Sequence, residues 1–195
     1  ISGPPENLNV IAGLGVALKC NGKIVDKMSI RQPACMKMAL GDRPKKTFNP
    51  TYTENKSPFT RMGVASIIRM YLTKAKYYQN QKEKSNTSKP FELDLKMEAL
   101  SDLLQKKFPA RIHAYRADDI YTAIRLMEEF NFELILDHAI EAHLMADELS
   151  KRKIPIVFGP LMHGVSMFEL ENLSPDIPAQ LHEKGVKMAG RSREE

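Results

Sequence analysis

The sequence predicts an α/β protein in which short apolar strands alternate with helices along a parallel sheet. From residue 110 onward, short apolar runs alternate with longer segments whose apolar side chains recur at helical spacing. Helices of roughly a dozen residues between strands form right-handed crossovers, and such crossovers make neighbouring strands parallel. The pattern therefore indicates a parallel sheet that is covered by helices.

The N-terminal region, residues 1–35, is predicted to be a β-rich segment. Gly and Pro interrupt it, and short β-like runs at 15–20 and 24–30 flank the dipeptide Asn21-Gly22. Asn-Gly between two such runs favours the tight turn of a hairpin. We therefore expect an antiparallel hairpin ahead of the parallel strands.

One strand and two helices are predicted in the middle of the chain. The apolar run 37–40 predicts a strand, and a loop rich in Pro, Asn and Thr follows it. Apolar side chains at helical spacing predict a long helix from about Thr60 and a second helix that begins near Leu93 and stops before Pro109. The polar stretch 79–89 between them shows no period and is predicted to be an exposed loop.

The C-terminal half repeats strand and helix in a regular order. The predicted elements are strand 110–114, a helix through Ile120 and Met127, strand 133–137, a helix through Ile140 and Leu144, strand 154–158, helix 178–184 and strand 186–189. With the strand at 37–40 they make about five strands of βα type, more than half of a (β/α)8 barrel. Residues 36–190 are therefore predicted to form a partial barrel, and residues 191–195 a disordered tail.

Composition and charge exclude several classes of protein. Hydrophobic residues make up 43% of the 195 residues and charged residues 27%, which is the balance of a globular domain. The net charge of +5 comes from Lys and Arg interleaved with Asp and Glu, without the basic and aromatic clusters that bind nucleic acid. No apolar run is long enough for a bilayer and no signal peptide opens the chain, so we expect a cytoplasmic protein with reduced Cys20 and Cys35.

Three chemically capable side chains close predicted strands. They are Asp42, His113 and His138. The carboxyl ends of parallel strands share one edge of a sheet, where ligands and catalytic groups gather. Carboxylate and imidazole together at that edge indicate a metal site.

Five segments of the chain, spread from about Asn9 to Met188, carry a family pattern in their order and spacing. They are MKMALGDRPK (36–45), TRMG (60–63), RIHAYRADDI (111–120), DHAIEAH (137–143) and VFGPL (157–161). At these residues the chain resembles the metal-dependent amidohydrolases, in the branch related to imidazolonepropionase. The resemblance implies a (β/α)8 TIM barrel of the metal-dependent hydrolase type, often with a small β-domain made from the chain ends.

The resemblance implies that His113 and His138 end the fifth and sixth barrel strands and bind the metal or face its water. Two family motifs are missing: a His-x-His pair, whose strand would lie upstream of Ile1, and an Asp at the end of the eighth strand. Tyr115 stands where a second His is common in the branch, and Asp42 stands where Glu is usual. We therefore expect an internal piece of an amidohydrolase with part of its catalytic apparatus missing.

Other residues are candidates for catalysis and substrate binding. His138 and Asp42 are the catalytic candidates, although an ordinary Gly-Asp-Arg-Pro turn also explains Asp42. Arg116 either orients a substrate carboxylate or pairs with the aspartates that follow it, and Arg61 is either substrate-binding or structural. His163 lies in the loop after the seventh strand, on the active edge, where it would contact substrate.

The functional prediction is a hydrolase that acts on C–N bonds in amides, cyclic amides or amidines. A divalent metal ion, preferably zinc, would activate a water molecule for attack on the amide or amidine carbon. A carboxylate would move the proton to the leaving nitrogen. The alternative is a non-catalytic amidohydrolase-like scaffold or interaction domain. The expected partners are a small-molecule substrate and, through exposed barrel edges, a second copy or a complementing segment, but neither nucleic acid nor membrane.

Overall fold

The computed structural model describes residues 2–3, 7–46, 58–85, 91–159 and 168–190. In these residues seven strands form one sheet: β1 (Ser2–Gly3), β2 (Ile11–Leu18), β3 (Ser29–Ala39), β4 (Ala110–Ala114), β5 (Leu134–His138), β6 (Ile156–Phe158) and β7 (Met188–Gly190). The helices of the same residues are α1 (Val25–Met28), α2 (Arg43–Lys46), α3 (Arg61–Lys84), α4 (Leu95–Leu104), α5 (Ala117–Phe130), α6 (Ala146–Lys151) and α7 (Ile177–Glu183), with 3-10 helices at Ala142–Met145 and Phe168–Leu170.

The strands lie in the sheet in the order of the chain. The pairs β1–β2 and β2–β3 are antiparallel, and β3 to β7 pair parallel to one another. The predicted mixed α/β fold is confirmed, and so is the expected run of about five parallel strands. Across the described residues the sheet is open, with β1 at one edge and β7 at the other.

The predicted hairpin is present, but its connection is longer than a two-residue turn. Leu18 at the end of β2 pairs with Ser29 at the start of β3, so Asn21-Gly22 lies inside a ten-residue connection, residues 19–28. Most of the run 24–30, predicted as strand, is the single turn of α1. That turn brings Met28 back towards the end of β2. There its carbonyl oxygen accepts a hydrogen bond from the N–H of Lys19 at 2.9 Å.

The long helix begins where it was predicted but ends later. The Thr60 hydroxyl accepts a hydrogen bond from the Gly63 N–H at 3.0 Å and caps the start of α3. At its other end α3 covers part of the stretch predicted as a loop, because contacts with α4 hold its last turns. Glu98 of α4 accepts a hydrogen bond from Tyr78 at 2.7 Å and forms an ion pair with Lys82 at 2.5 Å.

The segment after β5 also departs from the prediction. One helix was expected through Ile140 and Leu144, and the structure instead has a 3-10 helix followed by α6. His138 and Ala139 both have positive φ angles, of 71° and 46°. This left-handed backbone turns the chain at the end of β5 and delays the start of the helix.

Side chains alternate between two chemically different faces of the central strands. One set packs with the helices in the hydrophobic core, and its members are Met36, Met38, Ile112 and Leu136. The residues between them lie on the opposite face by strand alternation, and they are polar yet buried: Lys37, Arg111, His113 and Asp137. The second face is the one that carries the candidate site.

Two expectations concern the ends of the chain and its segments. The strand β3 runs through the predicted boundary between residues 1–35 and 36–190, so one continuous strand belongs to both segments. The predicted tail, 191–195, lies outside the described residues.

Among the described helices, α3 included, none has the length and apolar character that a bilayer crossing requires.

Candidate functional site

His113 and His138 come together at the carboxyl ends of two neighbouring parallel strands. His113 lies on β4, and His138 ends β5, where it is in register with Ala114. Their ring centroids are 4.7 Å apart, with the ring planes at 82°. Tyr115 lies against both rings, at centroid distances of 4.5 and 5.0 Å. The structure thus brings together the two residues that the sequence predicted as ligands and packs an aromatic ring beside them.

The backbone of His138 is what allows this meeting. Strict alternation along β5 would direct His138 to the same face as Leu136, towards the helices. Its φ angle of 71° is in the left-handed region, which a residue with a side chain rarely adopts. Backbone of this kind is concentrated at functional sites, because only the surrounding structure can hold it.

His113 is the most unusual side chain of the site. It is 0% exposed, and neither of its ring nitrogens has a hydrogen-bond partner among the described residues. Burial is the largest cause that lowers the pKa of His113 well below its usual value, followed by repulsion from His138 when that ring is protonated and from Lys37. The imidazole is therefore neutral at pH 7, and a buried polar group without a partner costs about 1–3 kcal/mol. Such a ring is suited to a ligand that accepts its lone pair.

His138, in contrast, has both ring nitrogens engaged. Its Nδ1 lies 2.7 Å from the carbonyl oxygen of Gly159, which follows β6. Its Nε2 lies 3.4 Å from the side-chain nitrogen of Asn7, a buried residue of the segment before β2. Asn7 has no signal in the sequence, because nothing in the local pattern links it to a residue 131 positions away.

A buried ion cluster lies on the same face of the sheet, one to three residues before the ends of the strands. The carboxylate of Asp137 pairs with Lys37 through Oδ2 and with Arg111 through Oδ1, the latter at 2.9 Å. Burial alone would raise the pKa of Asp137, but the neighbouring charges of Lys37 and Arg111, and that of His138 when its ring is protonated, hold it far below its usual value. These residues were also missed, although charged side chains inside otherwise apolar strands are a readable signal of a buried ion pair.

A second group of charges surrounds Arg61, at the same edge of the sheet. The guanidinium lies 3.1 Å from the Asp119 carboxylate, 2.7 Å from that of Glu169 and 3.6 Å from that of Asp42. Asp42 also pairs with Lys45 at 2.5 Å, and its backbone N–H donates to Glu169 at 3.0 Å. Asp42 and Arg61, predicted separately as catalytic and substrate-binding, are therefore partners in one ionic network.

Two features of this network are the close approach of Glu169 to Gly41 and the raised pKa of Asp119. Gly41 has a φ angle of 82°, and a Cβ there would lie 2.6 Å from Oε1 of Glu169, so the carboxylate needs a glycine beside it. Burial raises the pKa of Asp119 to about 6, with further repulsion from Asp118 and Glu169, while the positive charge of Arg61 opposes the rise. Asp119 is thus close to its titration point at neutral pH.

The remaining candidates are distributed as follows. Arg116 is half-buried, pairs with Asp118 at 3.1 Å and lies over the ring of Phe168 with 5.4 Å to its centroid. The structure thus contains the aspartate pairing that was one of its two predicted roles. His163 lies outside the described residues.

The two imidazoles suit part of a metal site. His113 has two buried ring nitrogens to offer, and His138 has its Nδ1 held by a backbone carbonyl, the arrangement typical of a ligand that binds through Nε2. In the described part of the chain, however, no three His, Cys, Asp or Glu side chains are grouped as a complete set of metal ligands. Two ligands fit a divalent metal ion but do not complete a site for it.

The chain is similar in sequence and fold to a solved structure. The crystal structure of an amidohydrolase from Thermotoga maritima MSB8 is 42% identical and superimposes with a TM-score of 0.90 over 95% of this chain. The match covers 48% of the amidohydrolase, so this chain spans about half the length of its structural relative. No protein-family model and no curated protein sequence matches the chain.

Proposed function

We propose that this chain is part of a metal-dependent hydrolase that acts on C–N bonds of amides, cyclic amides or amidines, and that its sheet is part of a (β/α)8 barrel. The observation that carries the proposal is the buried pair His113 and His138 at the carboxyl ends of adjacent parallel strands. The likeness to an amidohydrolase supports the same reaction class. The five parallel strands in chain order support the barrel.

The two histidines are proposed to hold one divalent metal ion, preferably zinc. When bound, such an ion would lower the pKa of a coordinated water to about 7 and would polarise the carbonyl group of an amide substrate. His113 contributes a neutral ring whose nitrogens are already stripped of water. His138 contributes Nε2, because the Gly159 carbonyl fixes its Nδ1 and so orients the ring.

The ionic network around Arg61 is proposed to handle protons and to orient substrate. Asp42 follows the end of β3 and is proposed as the carboxylate that moves a proton to the leaving nitrogen. Asp119 can exchange a proton near neutral pH because burial raises its pKa to about 6. Arg61 joins both carboxylates to Glu169, so its guanidinium fixes their relative positions. Arg116, at the start of α5, is proposed to meet an anionic group of the substrate.

The remaining ligands are proposed to come from outside the described residues. The described residues offer two imidazoles, and a catalytic zinc site takes roughly three protein ligands. Since the chain spans about half of its structural relative, a complementary segment or a second copy would supply the rest. A non-catalytic scaffold is the second candidate, and the incomplete ligand set in the described residues is the observation that favours it.

Metal content tests the proposal directly. Purified protein is dialysed and its zinc and other metals are counted per chain by elemental mass spectrometry. The double variant His113→Ala, His138→Ala is compared with His182→Ala, which removes an exposed histidine of α7. We expect bound metal in the wild type and in His182→Ala, and its loss from the double variant. Metal-free protein in all three would refute the proposed site.

A second assay separates the enzyme from the scaffold. The metal-loaded chain, alone and mixed with the complementary half of the amidohydrolase relative, is incubated with a cyclic amide, an N-acyl amino acid and an aminated heterocycle. Release of amine or ammonia that the double histidine variant lacks would support the hydrolase. Metal binding without any turnover would favour the scaffold.

A further inference from the structure

Asn7 is a buried polar residue that reaches the candidate site from the far end of the chain. It is 4% exposed and lies in the segment 7–10, which has no regular secondary structure and leads into β2. Its side-chain nitrogen Nδ2 is 3.4 Å from Nε2 of His138. Downstream of Asn7 the segment is attached to the sheet, because the carbonyl oxygen of Val10 accepts a hydrogen bond from the N–H of Ala39 at 3.1 Å.

The hydrogen bonds of His138 define which nitrogen carries the proton. A carbonyl oxygen can only accept, so the 2.7 Å contact between Nδ1 and the Gly159 oxygen requires a proton on Nδ1. In the neutral ring Nε2 then carries the lone pair. The Asn7 amide N–H donates into that lone pair. The contact thus occupies the nitrogen that a metal ion would need.

We propose that Asn7 controls the access of a divalent metal ion to His138, an inference that rests on the proposed function. In the metal-free protein its amide N–H satisfies the buried Nε2 and keeps the ring in the Nδ1–H tautomer. When a cation binds, the Asn7 side chain rotates away or the segment 7–10 shifts, and Nε2 becomes a ligand. Metal loading and the position of this segment are therefore coupled, and each opposes the other.

The coupling follows from competition for one lone pair. An Nε2 atom cannot accept an amide hydrogen bond and ligate a cation at once, so binding must break the contact with Asn7. Because the net contribution of one hydrogen bond is modest, we expect its removal to tighten metal binding by about threefold to tenfold. His113 has no such competitor among the described residues, so its share of the binding does not change.

The first test measures zinc affinity of the 195-residue chain by competition with a chromophoric chelator. Asn7→Ala is compared with the wild type and with Asn9→Ala, which removes the same side chain from an exposed position of the same segment. We expect Asn7→Ala to bind zinc about threefold to tenfold more tightly and Asn9→Ala to match the wild type. Equal or weaker binding by Asn7→Ala would overturn the inference.

The second test needs no metal. Nitrogen-15 NMR of the histidine side chains, with the His138 signals identified by their loss in His138→Ala, reports which ring nitrogen is protonated. We expect the Nδ1–H tautomer in the metal-free wild type and a changed Nε2 shift in Asn7→Ala but not in Asn9→Ala. An Nε2-protonated ring in the wild type, or an Nε2 shift that does not respond to Asn7→Ala, would contradict the contact.

The two proposals fail in different ways. If zinc binds, is lost in His113→Ala and is unaffected by Asn7→Ala, the inference about Asn7 is wrong and the proposed metal site stands. If neither the wild type nor Asn7→Ala binds zinc, the proposed site is wrong and the inference fails with it. Binding by Asn7→Ala alone would be the strongest support for the control that Asn7 exerts.

Discussion

Replacing Asp137 by alanine should cause a larger loss of stability than any other single change in the polar layer below the two histidines. The carboxylate is fully buried and is the shared partner of two buried cations, Lys37 and Arg111, whose side chains are 0% and 7% exposed. Its removal takes away the buried negative charge that both cations share. Breaking a buried pair in this way costs about 3–5 kcal/mol of unfolding free energy.

Removing Lys37 instead should cost less, because Asp137 then keeps its 2.9 Å contact with Arg111. We expect Lys37→Met to lower the free energy of unfolding by about 1–3 kcal/mol. The double variant Lys37→Met, Asp137→Ala should be more stable than the sum of the single effects predicts, since residues in contact couple by about 0.5–3 kcal/mol.

The measurement is urea unfolding at pH 7 followed by circular dichroism. The matched control is Asp147→Ala, because Asp147 also pairs with a lysine, Lys184 at 2.9 Å, but lies at the surface. An exposed pair of this kind contributes about 0–1 kcal/mol. If Asp137→Ala lowers the free energy of unfolding no more than Asp147→Ala does, the buried carboxylate of Asp137 does not stabilise the fold as predicted. The same gap should remain at pH 5, because an aspartate with a lowered pKa keeps its stabilising charge until the pH falls below the usual range.

Three further predictions concern the network around Arg61 and the start of α3. Burial raises the pKa of Asp119 to about 6, so between about pH 6 and pH 3.8 the folded protein holds a proton that the unfolded chain has released. Acidification from pH 6 to 4 should therefore stabilise the wild type relative to Asp119→Asn by about 2 kcal/mol, measured as the pH dependence of the difference in unfolding free energy. A pH-independent difference would contradict the raised pKa. Gly41→Ala should destabilise the protein by about 1–3 kcal/mol in thermal unfolding, since its Cβ would collide with Glu169 in a left-handed backbone, and a neutral effect would show that the loop can move aside. Thr60→Ala should cost about 1 kcal/mol in urea, because the Gly63 N–H loses its cap, whereas Thr60→Ser should recover most of it.

Much of the fold could be predicted because the local spacing of apolar residues indicates its strands and helices. Apolar runs placed β4 and β5 within one residue of their observed bounds, helical spacing placed α5 between them, and Thr60 marked the start of α3. The errors have tertiary causes. The end of α3 is helical because α4 packs beside it, and the connection before β3 contains α1, although the Asn-Gly dipeptide alone favours a tight turn.

The sequence by itself placed His113 and His138 at one edge of the sheet, because the ends of successive parallel strands share that edge. That their rings meet depends on the left-handed backbone of His138, which only the tertiary structure shows. The sequence could not determine what surrounds them either. Asn7 contacts His138 across 131 residues and Glu169 contacts Arg61 across 108, and such pairs depend on how loops return to the sheet rather than on any local pattern. The same is true of protonation: burial gives His113 a neutral ring and Asp119 a raised pKa, and burial is a property of the packed chain. Residue type at a strand end is thus readable from the sequence, whereas partners, tautomer and charge are decided only when distant segments pack together.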